Sequence, residues 1–392
     1  QEVASTSSTE LSSHPWISSS SGNNKAPTKT LSFCIIVFAF ARPLFLSRLW
    51  DSLLVSDFTA SINPEMSAIV DMKLIIDRPS GADSTISTAS RTTEGHAAVL
   101  ELAAGRLQWP HGKFDIVLRD KHYGIRDNVL SAWIPGEEDE YDRAIFLEDD
   151  VVVSPFFFQW LIASERDRSA STQHWVGVSL YRPKWNEIRW TAFDHEGPML
   201  LQLPCSWGAM YTSSFWLQFI KWWQNFQGQN DPRLLHTPRS LANEWGEHSW
   251  KQALLRYMVE QNAYLLYPSR AFSTTGAPNG VHVKNSKALR RLFDVPLVTS
   301  KREAQRAISF LSRSPDHSQK IPKFNYLHSR IADSCQNVSQ NFSNCGEDHS
   351  SPAKQLFANS TTVDTKISCH SDSDTASCVM HSVGLRGTTF LA

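Results

Sequence analysis

The stretch that most constrains this chain is Tyr141–Trp160, YDRAIFLEDDVVVSPFFFQW. An apolar run, Ala144–Leu147, leads directly into Glu148, Asp149 and Asp150, and a second apolar run follows at once. Three neighbouring carboxylates at the end of a buried strand repel one another and are costly to desolvate. Something must offset their charge, and a divalent cation is the first expectation.

The segments around this triplet alternate in period. Strand patterns fall at Ser32–Phe40, Met72–Ile76, Phe114–Leu118, Arg143–Leu147, His174–Tyr181 and Ala263–Tyr267. Helical patterns lie between them: about Leu44–Leu54, where Leu46, Leu49, Leu53 and Leu54 share a face; residues 96–108; Phe156–Ala163 behind Ser154-Pro155; and a Trp-rich helix from Ser213-Ser214 to about Trp223. Strands separated by helices predict an α/β fold with a mainly parallel, Rossmann-like sheet flanked by helices, whose ligands sit at the carboxyl ends of the strands.

Three regions follow from composition. Residues 1–30 are rich in Ser and Thr and read as a flexible leader or stem; 31–300 carry the α/β pattern; 301–392 form a Ser/Asn-rich tail. The tail holds Cys335, Cys345, Cys369 and Cys378, and the glycosylation acceptors Asn337, Asn341 and Asn359. Cysteines beside sequons predict disulfides and glycosylation in a secretory lumen. The apolar stretch Leu31–Val55 is interrupted by Arg42, Pro43, Arg48 and Asp51, which argues against a bilayer span; no signal or anchor is visible in the chain. A net charge of -1 gives no bulk attraction for nucleic acid or an anionic membrane, so an anionic ligand must be recognised locally. The 14 Trp and 21 Phe supply core volume and flat platforms for sugar faces, with packing alone as the plainer account.

A hard cation, Mn2+ or Mg2+, accepts one or two carboxylates and keeps its other positions for phosphate and water, which suits a nucleotide diphosphate. Side chains alternate along a strand, so the direct metal contact falls to Asp150, with Glu148 and Asp149 nearer the nucleotide sugar. A solvated acidic turn is the alternative.

The run FLEDDVVVSPFFF resembles the metal-binding segment of nucleotide-diphospho-sugar glycosyltransferases with the A-type fold. The likeness is to the inverting N-acetylglucosaminyltransferase I-like family, where an acid triplet precedes apolar residues, Pro and paired aromatics. IIVFAFARPLFLSRLWDSLL and HYGIRDNVLSAW extend the resemblance, which covers about residues 31–285 and is strongest over 119–160. It implies a metal-dependent inverting transferase in the Golgi lumen, moving a sugar, N-acetylglucosamine first, from a UDP-sugar to a glycan or glycoprotein hydroxyl.

The same resemblance implies roles for individual residues. Asp77 would accept the uracil imide N–H, unless it is an ordinary turn former. Arg42 would meet the base or a phosphate, with a surface role as its rival. His122 and Tyr123 would line the donor pocket, Arg126 would reach the diphosphate and Asn128 would pack on the acidic loop; a simple capped helix is the competing reading. In LPCSWGAMY, Trp207 would stack on the sugar and Gly208 would let the backbone approach it, while Cys205 reads as a small buried residue. Glu247, ahead of Glu244, would be the base that deprotonates the acceptor, with helix capping as the alternative for both. His282 would add a second metal ligand, or be a plain strand histidine. Three rival functions stand beside this one: a same-fold transferase using another nucleotide sugar, a non-catalytic carbohydrate-binding protein, and a metal hydrolase, which the absence of a His-rich or two-metal pattern disfavours.

Overall fold

A computed structural model describes residues 29–58, 66–80, 86–136, 140–170, 173–189, 191–227, 232–246, 248–276, 293–312, 321–331, 365–372 and 375–382. Glu247, His282, Cys335 and Cys345 lie outside these residues, as do Asn337, Asn341 and Asn359.

The first half alternates strand and helix: β1 (Lys29–Ala39), α1 (Pro43–Leu54), β2 (Met66–Ile76), α2 (Ile86–Gly105), β3 (Phe114–Leu118), α3 (Gly124–Leu130) and β4 (Arg143–Glu148). After β4 come β5 (Val151–Val153), α4 (Phe157–Ala170), β6 (Gly177–Ser179), β7 (Trp185–Asn186), β8 (Thr191–Ala192), β9 (Met199–Leu201) and β10 (Ala209–Thr212). Then follow α5 (Ser213–Gln227), α6 (Trp250–Glu260), β11 (Leu265–Tyr267), β12 (Ser273–Thr275), α7 (Lys301–Ser312), β13 (Lys323–Phe324), β14 (Arg330–Ile331) and the hairpin β15 (Thr365–Asp372) and β16 (Thr375–Ser382).

Ten strands form one sheet in the order β14-β13-β9-β11-β6-β10-β4-β1-β2-β3. The side from β3 to β4 is parallel, as the alternating pattern predicts. Beyond β4 the sheet is mixed, with β10 antiparallel to both β4 and β6. The mainly parallel expectation holds from β3 to β4, where a helix carries the chain back between successive strands; β10, entered after the β7–β9 excursion, runs against both of its neighbours. The result is an α/β fold with a mixed sheet flanked by helices, broadly a Rossmann-like A-type glycosyltransferase arrangement.

The central strand explains the two-sided core. Along β1, Phe33, Ile35 and Val37 enter one apolar cluster with Leu46, Leu49 and Leu53 of α1, Val99 of α2 and Phe158 of α4. Cys34, Ile36 and Phe38 enter the other, with Trp133, Trp216 of α5 and Leu254 of α6. This is the period of two expected when both faces are covered. Pro43 occupies the first turn of α1, where its missing N–H costs nothing. Leu31–Val55 is therefore a strand and an amphipathic helix, and no described helix is long and apolar enough to cross a membrane.

The expected disulfide is not found among the described side chains: Cys34 and Cys205 are free, each buried in the apolar cluster on the α5–α6 face, while Cys369 and Cys378 are described by their backbone alone.

Candidate functional site

The acid triplet sits where β4 ends between β1 and β10. Pairing with β1 persists one residue past the strand, since the Asp149 N–H donates to the Phe38 carbonyl at 3.0 Å. The loop after β1 brings Arg42 against the triplet just before α1 begins. Its Nη2 donates to Asp149 Oδ1 and its Nη1 to Asp150 Oδ2 at 2.6 Å. Asp149 is buried, and its second oxygen, Oδ2, has no hydrogen-bond partner.

Burial works against the Arg42 charge, but Asp149 and Asp150 outweigh it and hold the guanidinium above the ordinary arginine range. The acids respond in the opposite sense. Burial, then repulsion from Asp150, pushes Glu148 up to about 8. Asp149 rises to about 6 from burial, with Arg42 pulling it back and Asp150 adding to the rise. One cation thus faces three carboxylates, and two of them hold protons well above their usual range.

This geometry corrects the metal expectation. Among the described residues no group of three or more His, Cys, Asp or Glu could hold a metal ion. The physical reason is local: the Arg42 guanidinium takes an oxygen from each of Asp149 and Asp150, the groups an Mn2+ or Mg2+ ion would need. Asp150 is therefore an ion-pair partner of Arg42, and the metal-dependent inverting mechanism is overturned along with its Mn2+ or Mg2+ cofactor.

Asp77 closes β2 and organises the start of α3. Its Oδ1 accepts the Arg78 and Tyr123 amides at 2.9 and 2.8 Å, and its Oδ2 accepts the Gly124 amide at 2.9 Å. His122 Nδ1 donates to the Arg78 carbonyl at 2.6 Å and lies 3.1 Å from Asp77 Oδ2. The Tyr123 ring lies under Arg119, whose guanidinium carbon is 4.6 Å from its centroid. Arg119 Nε also donates to Asn128 Oδ1 at 2.7 Å, so the buried Asn128 is held by Arg119. Arg126 turns to Asp127, at 2.8 Å, and to the face of Trp223. Asp77, His122 and Tyr123 thus form one cluster, while Arg126 faces another way.

The loop before β10 makes the neighbouring wall. Ala209 pairs with Phe146, and continuing that antiparallel register sets Trp207 beside Glu148. Gly208 adopts φ +98°, and the side chains of Leu180 and Leu147 fill the space a Cβ would need, at 3.1 and 3.2 Å. The glycine here serves packing over β4. Trp207 is half-buried between Tyr181 and Phe293, with ring centroids 4.6 and 5.2 Å away, and the Lys251 ammonium lies 5.4 Å from its centroid. Glu244 is exposed at the end of a short turn, Leu241–Glu244.

Two residues absent from the sequence reading complete this wall. Lys251 Nζ, on α6, donates to Glu187 Oε1 at 2.6 Å, and both side chains are buried. Glu187 opens into a pocket whose other walls include Tyr181, Trp185, Cys205, Trp207 and Phe293. Lys251 also acts on Glu148, lowering its pKa against the larger effects of burial and Asp150. The sequence carries little signal for it: Lys251 is one of two charges in WKQALLRYM, beside Gln252, and only the fold shows that it is buried. Burial pushes the Cys205 thiol in the same pocket up to about 11, so it is no nucleophile near neutral pH.

Comparison with known proteins adds little to this geometry. The sequence matches no protein-family model and no curated protein. Among solved structures, the crystal structure of S. aureus TarS aligns at TM-score 0.31 and 11% identity, over 63% of this chain and 37% of that one. The chain thus spans little more than a third of TarS.

Proposed function

We propose that this chain is a carbohydrate-binding protein on a glycosyltransferase-like fold, taking its ligand at the carboxyl end of β4 without a divalent cation. The observation that carries the reading is the Arg42 guanidinium spanning Asp149 and Asp150. Even with Glu148 protonated, the cluster keeps more negative than positive charge. A diphosphate brought here meets repulsion that no described metal site reverses. An uncharged sugar meets no such barrier, because its hydroxyls can donate to the partly exposed Asp150 and accept from protonated Glu148.

Tryptophan fluorescence titrations with methyl glycosides, run in EDTA and again in Mn2+, test this reading. Equal binding in both, weakened roughly tenfold or more by Asp150→Asn, is expected for hydrogen bonds to a charged acceptor. Binding of UDP-sugars alone, with turnover of the donor, would instead support a same-fold transferase and sink the proposal.

A further inference from the structure

β3 closes the sheet on its parallel side, and among the described residues no strand pairs with its outer edge. The direction of its backbone groups follows from the bonds at its two ends. The Met72 N–H donates to the Lys113 carbonyl at 2.8 Å and the Arg119 N–H to the Ile76 carbonyl at 3.0 Å, so the backbone of Lys113 and Arg119 points to β2. Groups alternate along a strand. Asp115 and Val117 therefore also face β2, and the N–H and C=O of Phe114, Ile116 and Leu118 point away from the sheet. The side chains of the last two are uncovered as well: Ile116 is 42% exposed and Leu118 54%. An edge of this kind is a template for another strand, and FDIVL contains neither the Pro nor the Lys that commonly blunts one.

We propose that β3 pairs antiparallel with β3 of a second copy of this chain, about a twofold axis at Val117. The strand's self-complementarity selects both the partner and the register. With Val117 opposite its own copy, Ile116 faces Leu118 on both sides of the axis, and each of these pairs exchanges its N–H···O=C bonds. Asp115 then faces Arg119 of the second copy in a non-hydrogen-bonded pair, where side chains stand closest. Arg119 is available for it: Nε and Nη2 are engaged by Asn128 and Ser131, while Nη1 makes no hydrogen bond among the described residues. Neighbouring in-phase registers lose this match. Centring on Ile116 sets Lys113 against Arg119, centring on Asp115 sets that acid against itself, and centring on Leu118 sets Ile116 against Asp120. A paired strand this short buries less than a stable interface needs, so the association is weak and concentration-dependent.

Sedimentation velocity of the full chain over a range of concentrations is the test, and a monomer–dimer equilibrium is the expected result. Ile116→Pro removes an N–H that points away from β2, so the sheet keeps its ladder while the dimer loses a bond on each side of the axis. Its dissociation constant should rise roughly tenfold or more. Should Ile116→Pro fail to fold, Ile116→Lys, which leaves the backbone intact and sets a charge against Leu118, gives the same reading. Asp115→Arg brings two guanidiniums together and should weaken the dimer about fivefold. Phe310→Lys, at an exposed aromatic on α7, should leave it unchanged. A chain that stays monomeric at every concentration overturns the proposal. A dimer that Ile116→Pro and Ile116→Lys leave intact, or that Phe310→Lys disrupts equally, overturns it as well, and one that Asp115→Arg leaves intact overturns the register.

Discussion

The two ends of β4 carry buried charge of opposite balance. At its start Arg143 donates to Glu165 at 2.6 Å and Arg168 reaches the same carboxylate oxygen at 2.9 Å, so two guanidiniums surround one acid. Burial alone would raise the Glu165 pKa, but the two arginines outweigh it and hold the carboxyl below its usual range. At the far end a single guanidinium serves three carboxylates, and Glu148 and Asp149 move the other way. The comparison teaches that burial does not decide the character of a charged cluster. The ratio of cations to acids does, and the end left short of positive charge is the end that can still accept hydrogen-bond donors from a ligand.

Four substitutions probe that contrast. Glu165→Ala leaves Arg143 buried without its partner and should cost about 3–5 kcal/mol in urea unfolding; a loss under about 1 kcal/mol would break the contrast at its closed end. Arg42→Met removes the one cation that, among the described residues, pairs directly with the acid triplet and should cost about 2–3 kcal/mol near pH 8.5. That loss should shrink towards about pH 5, as Glu148 and Asp149 take up protons. A loss independent of pH would mean that Arg42 acts through packing.

Glu148→Gln has a smaller effect with a distinctive sign. Folded Glu148 keeps its proton up to about 8, whereas the unfolded chain releases it near 4.5. Between those values the native state binds more protons, so this group favours folding below about pH 4.5 and loses that contribution as pH rises through about 8. The Gln variant should therefore lack this slope and gain about 1–2 kcal/mol over the parent near pH 9, or a few degrees in Tm, read by thermal melts across pH. Identical slopes would mean that Glu148 titrates normally. Smallest of the four, Asp77→Asn should cost about 1 kcal/mol through its weakened acceptance of the Tyr123 and Gly124 amides, without changing glycoside affinity.

Much of the scaffold was legible in the chain. Phe114–Leu118 is a strand with the bounds its pattern predicts, and Leu44–Leu54 lies within α1, because local apolar periodicity governs both. His174–Tyr181 narrows to the three residues of β6, since pairing partners rather than composition set the length of a strand in the mixed half of the sheet. The acid triplet was legible as charge in need of an offset, but what offsets it was not. Arg42 lies 108 residues before Asp150, and Glu187 lies 64 residues before Lys251; the fold alone brings each pair together. A strand-end Asp reads equally as a ligand contact or a turn former, and only its hydrogen bonds reveal that both Asp77 oxygens hold the start of α3.

The central claim is that Arg42 fills the place a metal ion would take at the end of β4. Electron paramagnetic resonance of free Mn2+, titrated with the full chain near neutral pH, tests it most directly. An undiminished free-ion signal, the same for the parent and for Asp150→Asn, is the predicted result. Loss of the signal on adding the parent chain, restored by Asp150→Asn, would contradict it.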